Sequence, residues 1–144
     1  MDFKHVLVAT DFRECSGTAV EYAVDIASHY GASLTVVHAF ELPYGYAVLD
    51  VAELMNGLED AARAQLAEAL DRVKQRVPAA TGIVRCGAPW EEILAVARQQ
   101  GADLVVVGTH GRKGLPHALL GSVAEKVVRL SPVPVLTVRE RSPG

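Results

Sequence analysis

Only two cysteines, Cys15 and Cys86, occur in the 144 residues, far apart and with neither a CxxC pair nor a His/Cys cluster at zinc spacing. That excludes a disulfide framework and a structural zinc site, and it fits a reducing compartment. Aromatic residues make up just 6% of the chain, so its 50% hydrophobic content rests on Ala, Val and Leu, a composition suited to helices packed on a buried sheet. Neither sign of charge dominates. The formal net charge is −3 with acids and bases interspersed, which leaves no electrostatic footprint for duplex nucleic acid or an anionic membrane. Long apolar runs are missing too: each is broken well short of the roughly 18 residues that a membrane span needs. The opening MDFKHVLVATD carries an apolar stretch too short for a signal-peptide core. These absences predict a soluble, cytoplasmic protein with no nucleic-acid or membrane partner. A single domain over residues 1–144 is expected, with no internal repeat or low-complexity tract.

What the sequence does contain is an alternation of short β-branched runs with helical patterns. Residues 5–9 (HVLVA) read as a nearly all-apolar strand, followed by a helix over 16–30 with Ala19, Val20, Ala23, Val24 and Ala27 on one face and Gly31 as its stop. Residues 33–40 (SLTVVHAF) form a second strand and 41–50 a connection. Leu54, Leu58, Ala62, Leu66, Leu70, Val73 and Val77 then mark one face of a long helix. Residues 81–86 are a third strand, and Pro89 opens a helix with Glu91 and Glu92 in its positive first turn. LVVV (104–107), a helix over 122–130 and VPVLTV (Val133 to Val138) complete the order. Strict β/α alternation predicts right-handed crossovers and an open, Rossmann-like parallel sheet with helices on both faces. HVLVA and LVVV, the most uniformly apolar strands, belong at its centre.

Between the fourth strand and the last helix stands GTHGRKGLPHALLGS, Gly108 to Ser122. A glycine-rich turn from strand into helix is where backbone N–H groups and a helix N-terminus can receive a phosphate. It is not a Walker A loop, having no Gly-Lys-Ser/Thr, and it lacks the GxGxxG spacing of a dinucleotide fingerprint. Its pattern is Gly108-x2-Gly111-x9-Gly121-Ser122. Together with VLVATDF, TVVHAF, CGAPWEEI and the ending GSVAEKVVRLSPVPVLTVR, this resembles the ATP-binding members of the universal stress protein family, and the likeness runs the whole length of the chain.

The resemblance implies a five-stranded parallel sheet of order 3-2-1-4-5, with its topological switch point between strands one and four. Ligands of open α/β sheets bind outside the carboxyl ends of the strands at such a point. Carried over residue by residue, it implies that Ala9, Thr10, Ala39 and Val107 line an adenine pocket and that Asp11 meets the ribose or the base edge. Gly108, Gly111, Gly121, Ser122 and Val123 would face the phosphates, with Arg112 nearby. Glycine suits these positions because a Cβ would block close approach and because some positions would need positive φ. ATP is the implied ligand, with magnesium or manganese bridging its phosphates through few dedicated protein ligands. The chain departs from the family pattern at Pro116 and His117, where basic residues are common. Since His117 is charged only part of the time near neutral pH, phosphate affinity is expected to be weaker and pH-dependent.

The implied function is that of a stress-response regulator that binds ATP, hydrolyses it slowly or not at all, and reports nucleotide state to an unidentified protein partner. Residues 109–121 would be ordered by the phosphates and looser without them. A nucleotide-free interaction module of the same fold is the main alternative. An ATP pyrophosphatase or other nucleotidyl-transfer enzyme fits less well, because Thr10-Asp11-Phe12-Arg13-Glu14 stands where such enzymes carry Ser-Gly-Gly-x-Asp-Ser. Several residues also have plain structural readings. Less favoured readings make Gly108 and Gly111 loop glycines, Arg112 and Lys113 surface charges, and Asp11 a turn acid. Ser122 begins a Ser-Val-Ala-Glu capping box in which its hydroxyl would bond the Glu125 N–H. His110 reads as a solvated loop side chain, His38 as a satisfied core or crevice histidine, and Cys15 as a small buried thiol with no redox role. The last strand, Val133 to Val138, would be an open edge guarded only at its start by Pro132 and Pro134, and pairing with a second copy would make a homodimer.

Overall fold

Each strand forms where the sequence is β-branched and ends where polar or glycine residues interrupt it. The computed structural model describes residues 2–42, 51–110 and 120–140. Its strands are β1 (His5–Ala9), β2 (Ser33–Phe40), β3 (Thr81–Cys86), β4 (Leu104–Gly108) and β5 (Val135–Val138). Its helices are α1 (Glu14–Tyr30), α2 (Val51–Val73), α3 (Pro89–Gln100) and α4 (Ser122–Leu130). All strand pairs are parallel, in the order β3-β2-β1-β4-β5. The expected architecture is therefore the one observed.

The period of two along the strands divides the core in two. Val6, Val8, Leu34, Val36, Leu104 and Val106 face α1 and α2 and pack on Ala19, Ala23, Ala62 and Leu66. Leu7, Val37, Val105 and Val107 face the other way, onto Ile93, Leu94, Ala97, Ala124 and Val127 of α3 and α4. Leu7 and Val8 on β1, like Val105 and Val106 on β4, are fully buried, as central strands covered on both faces require.

Helix ends follow local chemistry. Gly31 and Gly101 terminate α1 and α3 in the left-handed conformation at φ 64° and 65°, which glycine adopts without a Cβ penalty. Pro89 opens α3 in the first turn, with Glu91 and Glu92 beside the positive end. Two boundaries differ from the sequence reading. α1 starts two residues before Ser16, because Arg13 takes the extended N-cap position and leaves Glu14 in the first turn. β5 starts at Val135 and not Val133, because Ser131 ties both the N–H and the carbonyl of Val133 into a turn. The Pro134 carbonyl then makes the first contact with β4, accepting from the Val105 N–H at 3.0 Å.

Candidate functional site

The sheet opens at its centre because its two middle strands part company at their carboxyl ends. β1 and β4 pair through Val6 to Val8 against Leu104 to Val106. Beyond that point Ala9 stays paired only with Val37 of β2, and Val107 and Gly108 only with Thr137 and Val138 of β5. The Thr10 and Thr109 N–H groups continue those outer ladders, to the Val37 and Val138 carbonyls, both at 2.9 Å. The β1–β4 ladder thus ends before either strand does, and the crevice expected at the switch point lies between their carboxyl ends. Ala9 and Val107 flank it and share the α3/α4 face, and Ala39, two residues beyond Val37, lies on that face as well.

α4 delivers its N-terminus to the same end of the sheet. The Gly121 N–H donates to the Thr109 carbonyl at 2.7 Å, which fastens the start of α4 to the end of β4. Gly121 is the N-cap and, being glycine, supplies no side-chain cap. Among the described residues, the first-turn N–H groups of Ser122, Val123 and Ala124 have no side-chain cap, the condition in which a helix N-terminus accepts an anion. Here the capping box fails: Ser122 is the first helical residue, and the Glu125 N–H bonds the Gly121 carbonyl at 2.9 Å. The exposed Ser122 hydroxyl is therefore not spent on Glu125 as that motif requires.

The turn after β1 is held by a network that sequence reasoning did not resolve. The Ser16 hydroxyl lies 2.7 Å from Asp11 Oδ1, 3.1 Å from the Asp11 N–H, which it accepts, and 3.2 Å from Thr10 Oγ1. Asp11 Oδ1 also accepts the Arg13 N–H at 3.0 Å, and Thr10 Oγ1 accepts the Phe12 N–H at 3.0 Å. Asp11 is thus a turn acid through Oδ1, and half-buried at the crevice's edge. The signal was present as a short polar side chain at each of positions 10, 11 and 16 flanking a helix start.

Gly108 has a packing role at the end of β4. A Cβ there would lie 3.0 Å from Cys15 Sγ and 3.2 Å from the Cys15 carbonyl carbon and oxygen. Of the loop glycines, the two described do not use positive φ: Gly121 has φ −61° and Gly108 is not among the positive-φ glycines, while Gly111 lies outside the described residues. Cys15 is buried with its thiol 3.5 Å from the Val138 carbonyl. Gly111, Arg112, Lys113, Pro116 and His117 lie outside the described residues, as does most of the connection 41–50.

Acidic groups gather beside Gly108. The Glu140 carboxyl is held above the usual carboxylate range by the hydrogen bond it shares with Glu14, then by desolvation and by the Glu14 charge, while His110 pulls the other way. His110 is half-buried, with Nδ1 3.0 Å from Thr109 Oγ1. Among the described residues no group of three or more His, Cys, Asp or Glu is placed to hold a metal ion, and no helix is long and apolar enough to cross a membrane. A groove of about 780 Å³ between α1 and α2, bordered by Phe12, Arg13, Glu21, Gln65 and Arg72, opens on the other face of the sheet. Of the expected site residues that are described, only Thr10 borders it.

An open parallel sheet of order β3-β2-β1-β4-β5, with helices on both faces and the start of α4 tied to the end of β4, defines an α/β fold of the doubly wound class. The chain belongs to the universal stress protein family, whose model matches residues 2–139. It is 27% identical to universal stress protein MJ0577 of Methanocaldococcus jannaschii over 157 aligned positions, covering 97% of each chain. It is 37% identical to Mycobacterium tuberculosis universal stress protein Rv1996 over 93% of its own length, and spans 43% of that longer relative. Among solved structures it is similar to UspA from Lactobacillus plantarum, with a TM-score of 0.82, 26% identity and coverage of 96% and 99% of the two chains. A universal stress protein in complex with cAMP superposes with a TM-score of 0.73 at 31% identity, covering 98% of this chain and all of that one.

Proposed function

We propose that this universal stress protein binds ATP in the crevice between β1 and β4. The observation that carries the reading is the early end of β1–β4 pairing at Val8 and Val106, with the N-terminus of α4 tied to the end of β4 through Gly121 and Thr109. The relative that holds cAMP supports an adenine nucleotide as the ligand class. Ala9, Ala39 and Val107 offer the small apolar wall an adenine ring needs, and Thr10 adds main-chain groups. Asp11 Oδ2, outside the turn network, is the acceptor for ribose hydroxyls. Gly108, Gly121, Ser122 and Val123 contribute backbone N–H groups and one hydroxyl toward the phosphates, joined by Gly111 and Arg112 from the glycine loop. Magnesium or manganese would be carried by the phosphates, whose oxygens such hard cations prefer.

Nothing in the described crevice resembles a base positioned to activate water. The protein is accordingly read as a cytoplasmic, homodimeric regulator with weak or no ATPase activity, whose nucleotide state is sensed by a protein partner. Isothermal titration of nucleotide-stripped protein with magnesium-ATP and AMP, for the wild type and Gly121→Val, tests the site. Tighter binding of ATP than AMP, lost in Gly121→Val, is the expected result. No binding at millimolar ATP overturns it in favour of a nucleotide-free interaction module.

A further inference from the structure

His38 precedes Ala39 on β2, so strand alternation turns its ring to the α1/α2 face, away from the crevice. There its Nδ1 lies 2.8 Å from the Thr10 carbonyl oxygen. A carbonyl can only accept, so Nδ1 carries the proton and in the neutral ring Nε2 holds the lone pair. The same ring packs against Phe12, with centroids 4.3 Å apart and planes inclined by 36°. Phe12 has a φ of 65° and is the one non-glycine residue at positive φ among those described. An L residue holds that conformation only where its surroundings compensate the steric cost.

Two neighbours on β2 therefore grip both backbone groups of Thr10. Val37 accepts its N–H at 2.9 Å, and His38 donates to its carbonyl. Phe12 is held in turn by the His38 ring and by its own N–H bond to Thr10 Oγ1. Asp11 stands between the two residues so held. We infer that His38 is a positioning residue of the nucleotide site: its Nδ1–H bond to Thr10 and its stack on Phe12 set the Thr10-Asp11-Phe12 turn and thereby aim Asp11 at the ligand. This inference rests on the reading of the crevice as a nucleotide site.

Long-range proton–nitrogen NMR of the imidazole gives a first test that needs no nucleotide. The expected signature is a protonated Nδ1 with a lone pair at Nε2, and the opposite tautomer overturns the inference. The second test compares magnesium-ATP affinity and melting temperature for the wild type, His38→Val and His38→Asn. Valine suits the strand but has no donor, whereas the asparagine amide can place an N–H where Nδ1 stands. Both variants lose the stack on Phe12 and should melt at similarly lowered temperatures. His38→Val is expected to bind at least about tenfold more weakly, with His38→Asn recovering to within about threefold of the wild type. Affinity equal in all three proteins, or a loss in both variants that tracks melting temperature alone, overturns the role of His38. A wild type that binds no nucleotide overturns the site reading itself, and is distinguishable because in the former case the wild type still binds.

Discussion

Gly108 at the end of β4 lies so close to Cys15 in the first turn of α1 that a Cβ would come within 3.0 Å of its Sγ and 3.2 Å of its carbonyl carbon and oxygen. Two of those three atoms are backbone and cannot rotate away. Gly108→Ala should therefore destabilise the protein by about 1–3 kcal/mol, the usual cost of overfilling a packed site. Equilibrium urea unfolding measures it. Adding Cys15→Ala removes the sulfur contact and leaves both backbone contacts, so it should not restore stability; a double variant as stable as the wild type would show the crowding to be the thiol's alone.

Asp11 and Ser16 can be separated because they do different things. Ser16→Ala strips partners from Thr10 Oγ1 and the Asp11 N–H and is expected to cost about 1–2 kcal/mol while leaving the carboxylate in place. Asp11→Asn keeps an oxygen for the Arg13 N–H and the Ser16 hydroxyl, so its stability should stay within about 1 kcal/mol of the wild type. Its ATP affinity should nevertheless fall, since a neutral amide oxygen is a poorer acceptor for ribose hydroxyls. Thermal unfolding paired with titration calorimetry checks both. An Asp11→Asn variant with full affinity would leave Asp11 as a turn residue only.

The architecture was legible because strand and helix periods differ and because HVLVA and LVVV are apolar on both faces, which only a central position explains. Ala9, Ala39 and Val107 came from the family resemblance, and the sheet sets them on one face. Less legible were features set by contacts distant in sequence. Nothing local in Gly108 reveals that a Cβ there would crowd Cys15, far earlier in the chain. Ser122-Val-Ala-Glu matches a capping box, yet the bond from Gly121 to Thr109 shifts the N-cap back by one residue. His38 is the satisfied core or crevice histidine expected, but its particular partner was not legible, because Thr10 lies 28 residues away in the turn after β1.

His5 provides a pH-dependent contribution whose sign can be worked out. Burial lowers its pKa from the ordinary 6.5, with Asp103 opposing, while Nε2 sits 2.8 Å from the buried Thr35 hydroxyl. The fold thus prefers the neutral ring, and between the lowered value and 6.5 the unfolded chain binds more protons. Stability should fall as pH drops through that window and level off above it. Glu140 acts in the opposite sense at lower pH, because a raised carboxyl binds its proton more readily in the folded state. Melting temperatures from about pH 7.5 down to about pH 5 should decline more steeply for the wild type than for His5→Gln, which has no titrating ring. Parallel profiles would remove His5 as a source of the slope.

β5 is the edge strand whose exposed groups can be assigned individually. The Pro134 and Val138 carbonyls both face β4, accepting from Val105 and Thr109. In a parallel ladder alternate residues share a side, so Leu136 joins them and the N–H and C=O groups of Val135 and Thr137 point to the open edge. Pairing of two copies through this strand would use the Thr137 N–H and leave the β4 ladder untouched. Thr137→Pro removes that donor at a position where an edge strand tolerates proline. The wild type should elute with twice its 15.4 kDa mass by light scattering at micromolar concentration, and Thr137→Pro as a monomer with an unchanged circular dichroism spectrum. A monomeric wild type defeats the dimer outright. A dimeric Thr137→Pro instead moves the contact off the β5 backbone, and the α4 surface beside it, where Val128 and Leu130 are exposed, becomes the face to mutate next.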